Sequence, residues 1–282
     1  MNLKHFVISF FLLLPFVACA DKYDVKGVYQ GQAAQGMAIY GDYAYILNNT
    51  GYCRVFDLKL GQIVQEYKLA SYGKSNHANC ASFGVEFYNN NTVPVFYVSE
   101  CSSPYSRCFV ENLEEGKSQL VQTIQAVENG KPKLINDWII DNKGKYLYAF
   151  IRLGSKDTEG KIRHSIIKYR LPKLAEGKSV QLSESDIHEQ FEVSFMNMSQ
   201  GGAIKGRHLY LPVGLQNTVD GKRMDAERAI IIIDLKKHKI KKIIDLNNVI
   251  FDEPEDVDFY KGNLLLYCGQ NGGLWTISPK NK

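Results

Sequence analysis

Five polar residues recur down the chain where a short apolar run begins: Gln35 in AQGMAI, Asn79 in HANCASF, Asn136 in INDWII, Gln200 in SQGGAI and Glu255 in EPEDVDF. Four are amides, suited to orienting a substrate amide or a developing oxyanion, and the fifth is a carboxylate that can carry a proton. His77, Asp137, Trp138 and Glu253 stand beside them in sequence. Gathered into one ring, these residues would make a polar site with Glu255 as general acid and base. Gln35, His77, Asn79, Asn136, Asp137, Trp138, Gln200 and Glu253 would then form its ligand-binding lining. A structural reading stands beside this one. Amides near a crowded axis bond backbone groups of neighbouring elements, and Gly after Gln is what close packing of strands selects.

Thiol and metal chemistry are the other candidates. Besides Cys19 the chain has Cys53, Cys80, Cys101, Cys108 and Cys268, and no CxxC or HxxxH spacing occurs, so neither a metal site nor a cofactor is expected. Only His77 lies near a cysteine as a base, which disfavours a nucleophilic thiol. The spacing CSSPYSRC predicts a Cys101–Cys108 disulfide, because six intervening residues with a Pro can close a hairpin.

The elements that must position such a ring are short strands in a repeat. AQGMAIYGDYAY and SQGGAIKGRHLY share six of the eleven positions from Gln35 to Tyr45 at an offset of 165, and DLKLGQIV at 57 matches DLKKHKIK at 234 at an offset of 177. The five starts are separated by 44, 57, 64 and 55 residues, sizes that suit one four-stranded propeller blade each. From Glu255 onward 28 residues supply three strands, while DKYDVKGVYQ supplies one strand ahead of the first unit. Together these predict an all-β, five-bladed propeller over residues 21–282, its last blade closed by the N-terminal strand. Six blades, reached by splitting the long third unit, is the alternative. No segment keeps a helical apolar period over eleven residues. Strand alternation then puts the five starts on one face, together with the cysteines and the loops 152–164 and 214–228.

The opening twenty residues read as a signal peptide, with Lys4 ahead of the apolar FVISFFLLLPFV. Ala18-Cys19-Ala20 fits ordinary cleavage before Asp21, and Phe16-Val17-Ala18-Cys19 resembles a lipoprotein signal that would lipidate Cys19. The chain is therefore expected to be exported, as an outer-membrane lipoprotein or a periplasmic or secreted protein. The net charge of +4 is small and spread out. Lys236, Lys237, His238, Lys239, Lys241 and Lys242 form one dense run, read as a solvated turn and edge strand, so nucleic acid is not an expected partner.

A QG at the start of a blade followed by DLKLGQIVQ resembles the glutaminyl cyclotransferases of plant and bacterial type. That resemblance implies a five-bladed propeller with its site at the channel mouth, and puts Gln35 in the place of the Gln that the family's TQG motif supplies. The family's catalytic Glu begins the second blade, where this chain has Asn79-Cys80, and the ring carboxylate here is Glu255. More broadly the chain resembles exported and lipid-anchored bacterial propellers of unassigned activity. The expected function is a monomer binding a small molecule, glycan or protein at the channel mouth, touching a membrane through a lipid anchor only. The alternative is a cyclotransferase in which Glu255 shuttles a proton while Gln35, Asn136 and Gln200 orient the amide and Trp138 walls the pocket.

Overall fold

The computed structural model describes residues 23–29, 34–73, 76–101, 104–141, 143–214, 218–219, 222–223, 227–269 and 272–280. Its strands form five antiparallel sheets arranged as blades of a propeller. Blade 1 runs Met37–Tyr40, Tyr43–Leu47, Tyr52–Asp57 and Gln62–Lys68 from the axis outward. Blade 2 runs Ala78–Phe83, Phe96–Glu100, Cys108–Glu114 and Lys117–Glu128, and blade 3 runs Asp137–Ile140, Tyr146–Lys156, Ile162–Arg170 and Ile187–Phe195. Blade 4 is Ala203–Lys205, His208–Val213, Ala229–Asp234 and Lys239–Asp245. Blade 5 is Pro254–Tyr260, Asn263–Cys268 and Gly273–Pro279, and its outermost strand is Tyr23–Tyr29. The N-terminal strand closes the last blade, as the leftover strands of the sequence require.

The long third unit does not split into a sixth blade. Its extra residues form Ser179–Leu182, which pairs in parallel with Thr123–Ala126 on the outer edge of blade 2. This covers an edge that would otherwise offer unpaired N–H and C=O groups. Residues 152–164 are not a loop throughout, because Tyr146–Lys156 and Ile162–Arg170 extend as strands to a tight turn in which Asp157 Oδ1 accepts from the Glu159 and Lys161 amides. Of 214–228, the pieces Thr218–Val219 and Lys222–Arg223 pair as a short hairpin, while 215–217, 220–221 and 224–226 lie outside the described residues.

Period-two alternation gives each blade two apolar faces, and these faces meet as five hydrophobic clusters, one per seam. The run AIIIID shows the rule: Ile230 and Ile232 face blade 5 while Ile231 and Ile233 face blade 3. The second register mark also has a physical cause. Asp57 Oδ1 accepts from the Lys59 and Leu60 amides, and Asp234 Oδ1 accepts from the Lys236 and Lys237 amides, so the same carboxylate closes the third-to-fourth turn in both blades. The lysine run lies on that turn and the outer strand after it, largely exposed.

Candidate functional site

The innermost strand of each blade is where the ring residues gather, and the Gln-Gly pairs show how tightly. Gly36 N donates to Ala78 O at 2.8 Å, and a Cβ at Gly36 would stand 2.8 Å from that same oxygen. Gly201 has φ +117°, and a Cβ there would stand 2.5 Å from Asp256 Oδ1. Glycine is thus required at both positions by close approach, and at 201 by backbone conformation too. The glutamines that precede them point to the mouth.

There the side chains pair across blades. Gln35 Nε2 of blade 1 donates to Glu255 Oε1 of blade 5 at 3.4 Å, and Gln200 Nε2, leading into blade 4, donates to Glu253 Oε1 at 2.5 Å. Asn79 Nδ2 of blade 2 donates to Asp137 Oδ1 of blade 3 at 2.7 Å. His77, held at φ +41°, stands beside Asn79 and within the field of Glu253. Asn136 accepts the Arg152 amide on Oδ1 at 2.7 Å, fixing the start of blade 3's second-to-third excursion. Four buried oxygens of this ring have no hydrogen-bond partner among the described residues: Gln35 Oε1, Asn79 Oδ1, Asp137 Oδ2 and Glu255 Oε2. Buried polar atoms rarely stay unpaired, and these four lie around one mouth.

Burial sets the electrostatics. It pushes the Asp137 carboxyl up to about 7, against the lowering effect of the Asn79 donor. Glu255 is raised well above the ordinary carboxyl range, first by burial and then by the negative charges of Glu253, Asp256 and Asp137. Burial lowers His77, opposed by Asn79 and Glu253, so its imidazole is held toward the neutral form. Two carboxyls raised by burial beside an imidazole lowered by it give the mouth groups that can both give and take protons.

Below the mouth the axis is filled by Asp256. Its Oδ2 accepts from Met37 N at 2.8 Å and Ala81 N at 3.0 Å, and its Oδ1 accepts from Gly202 N and Val257 N at 2.8 Å each. One carboxylate therefore ties the inner strands of blades 1, 2, 4 and 5. Burial raises its carboxyl well above the ordinary range, against the lowering effect of the Met37, Ala81 and Val257 amides, and all four of its contacts are N–H donors. Past it, Asp258 accepts Ile39 N and Phe259 N at 2.7 Å each, is raised by burial to about 6, and edges a cavity of about 190 Å³ at the opposite end of the axis.

No family model matches the sequence, and no curated protein matches it. Among solved structures, the glutaminyl cyclase of Myxococcus xanthus superposes with a TM-score of 0.52 at 10% identity, covering 91% of this chain and 95% of that one. The two share a fold. The superposition spans nearly the whole propeller, in line with the short Gln-Gly resemblance in blade 1.

On that scaffold the sequence-predicted residues sort unevenly. Gln35, His77, Asn79, Asp137, Gln200, Glu253 and Glu255 converge on the mouth, and Asn136 lies at its edge. Trp138 does not wall it. The residue after Asp137 points to the other strand face, so its indole is buried in the seam of blades 2 and 3, with Nε1 donating to Ser106 O at 2.9 Å. The Cys101–Cys108 disulfide is also absent; both are free thiols. Strand register sets Cys108 opposite Ser99 with its side chain in that same seam, whereas Cys101 lies beside Asn136 and Asp137. The bond between the flanking residues is an ion pair instead: Arg107 grips buried Glu100 with Nε to Oε2 and a terminal nitrogen to Oε1, both at 2.7 Å. Cys19 lies outside the described residues, among which no cluster of three metal-ligating side chains occurs.

Asp256 was not singled out from the sequence. A signal existed, since Asp256 and Asp258 alternate with Val257 and Phe259 along an innermost strand and so place two acids on the axial face.

Proposed function

We propose that this chain is an exported, lipid-anchored propeller whose axial mouth binds a small ligand presenting several N–H donors, such as a primary ammonium with a neighbouring amide. The observation that carries this reading is the set of four unpartnered atoms at Gln35, Asn79, Asp137 and Glu255, which are all oxygens. A donor-rich group complements them, and the surrounding carboxyls favour positive charge on it. The tests are direct. Titrating the protein with glycinamide while following backbone amide shifts should perturb residues 35, 79, 137 and 255. Shifts scattered over the surface, or none at millimolar glycinamide, would refute the site. For the anchor, mass measurement of the membrane-bound chain should give Cys19 as a lipidated N-terminus; an unmodified start at Asp21 refutes it.

A second reading is favoured by one pairing, Glu255, whose carboxyl burial pushes toward its proton-bearing form, facing Gln35. In a cyclotransferase-like reaction, the α-amine of an N-terminal glutamine attacks its own side-chain amide carbon. A C–N bond forms and closes the ring, the amide C–N bond breaks, and ammonia leaves. The Glu255 carboxyl would give its proton to the leaving nitrogen and take one from the attacking nitrogen, ending as it began, while the amides hold the oxyanion. The glutaminyl cyclase likeness of the fold supports the attempt. Ammonia release from a glutaminyl peptide, lost in Glu255→Gln, would establish turnover; binding without release leaves the ligand-binding reading standing alone.

A further inference from the structure

Propeller seams widen away from the axis, so their outer parts need large side chains to reach interior packing density. Four seams meet that need with rings from both sides or from the wider blade. Tyr45, Phe83 and Phe96 cluster at 4.9 to 6.0 Å between blades 1 and 2, and Trp138 meets Tyr169 at 6.2 Å beside blade 2. Tyr210 meets Phe259 at 4.9 Å between blades 4 and 5, and Tyr29 meets Phe56 at 4.5 Å between blades 5 and 1.

The seam of blades 3 and 4 differs. His238 of blade 4 stacks on Phe191 of blade 3 at 4.4 Å on one stretch of this seam. Beyond it blade 3 contributes a stack of Phe150, His164 and Phe195, with His164 and Phe195 centroids 3.9 Å apart, and there blade 4 lines the seam with Val213, Ala229, Ile231, Ile240 and Ile243 and no ring. A cavity of about 300 Å³ remains, apolar on its walls and open past half-exposed Met196. Its rim is acidic. Among the described residues lining it, Glu227 and Asp245 stand there against one cation, Lys161, whose ammonium is already paired with Glu159 at 2.5 Å. An apolar cavity of this size takes up apolar molecules, and the rim selects their charge.

We propose that this seam is a second small-molecule site, separate from the axial mouth, which takes a single-ring aromatic or similar apolar body with an ammonium head at the Glu227 and Asp245 rim. The ring fills the place that blade 4 leaves without an aromatic, stacking beside Phe195. Met196, long and unbranched, adjusts over the opening.

Phenethylamine is the probe, and phenylacetate carries the same ring with the opposite charge. Titration of the full chain followed by amide NMR should shift Val213, Ala229, Ile231 and Ile243 with phenethylamine, with at least about tenfold weaker binding of phenylacetate. Ala229→Phe puts a ring into the cavity, abolishing the titration and raising Tm by about 2–4 °C as filled cavities do. Should that variant not fold, Ile243→Trp closes the cavity from its half-exposed rim and must also abolish binding. Glu227→Gln should weaken the amine severalfold and leave phenylacetate unchanged. No shifts at these amides, unchanged affinity in the filled variants, or equal binding of phenylacetate would each overturn the proposal. Gln35→Ala leaves this titration untouched, so failure at the axial mouth and failure here are told apart.

Discussion

Glu255 and Asp256 are neighbours in sequence, both buried and both raised by that burial, yet their hydrogen bonding differs. Glu255 accepts one long hydrogen bond and is pushed toward its neutral form, whereas Asp256 accepts four backbone N–H groups from four blades. Glu255→Gln, the isostere of a protonated acid, should therefore leave stability at pH 7 within about 1 kcal/mol of the parent. Asp256→Asn swaps an acceptor for a donor facing donors and should cost on the order of 3 kcal/mol or more in urea unfolding; a cost equal to that of Glu255→Gln would remove Asp256 as the hub. Asp137 gives a pH signature. Its folded pKa, near 7, lies above the ordinary value of 3.8, so the folded state holds the extra proton between those values. Stability from this group is complete below about pH 4 and is lost as pH rises toward 7, on the order of 1 kcal/mol per unit, and Asp137→Asn should flatten that slope. An ammonium ligand reverses the preference by favouring the carboxylate. Its affinity should rise with pH through about 7 in the parent and stay level in Asp137→Asn, as calorimetry across that range would show. The repeat made the ring positions readable, because each opens a blade. Asp256 was not readable that way, since it occurs in one blade and serves the others.

At the scale of elements, the turn aspartates explain why a weak repeat was visible at all. Asp57 and Asp234 each close a third-to-fourth turn by accepting two backbone amides, a local requirement that survives where strand residues drift. Asp57→Ala should lose about 1–2 kcal/mol of stability, and the amides of Lys59 and Leu60 should exchange faster with solvent. If their protection is unchanged, the turn is held by its strands instead. Period-two strand reading fixed which face Asp137 takes, and the same rule sends Trp138 into the seam; grouping the two by sequence adjacency ignored it. The excursion at 152–164 carries Gly, Asp and Lys in the manner of a loop, yet its strands continue because Arg152 and His164 still pair across it. The link from Ser179–Leu182 to blade 2 was beyond local pattern, being a parallel pairing between distant units. Cysteine spacing misled for a related reason: sequence distance limits a disulfide, but strand register decides whether two thiols face each other.

For the whole molecule, closure of the ring rests on the N-terminal strand. Tyr23–Tyr29 runs antiparallel to Gly273–Pro279, with Val25 opposite Ile277 and Gly27 opposite Trp275. It joins two seams, since Tyr29 packs on Phe56 of blade 1 and Tyr23 lies under Lys242 of blade 4, whose ammonium is 4.3 Å from the ring centroid. Its side chains are only partly buried, so the strand contributes about 3 kcal/mol through Tyr23, Val25 and Tyr29. Its larger role is to cover Gly273–Pro279, which would otherwise present a free edge beside Trp275. A chain beginning after residue 29 should therefore keep blades 1 to 4 and lose about 6–12 °C in Tm. It should also self-associate as concentration rises, through the uncovered blade 5 edge. Val25→Pro removes one ladder donor without shortening the chain and should show a smaller version of both effects. Thermal melts and sedimentation at two concentrations measure them together. A truncated chain that melts with the parent and stays monomeric would mean that blade 5 is complete with three strands, and that closure belongs to Asp256 at the axis alone.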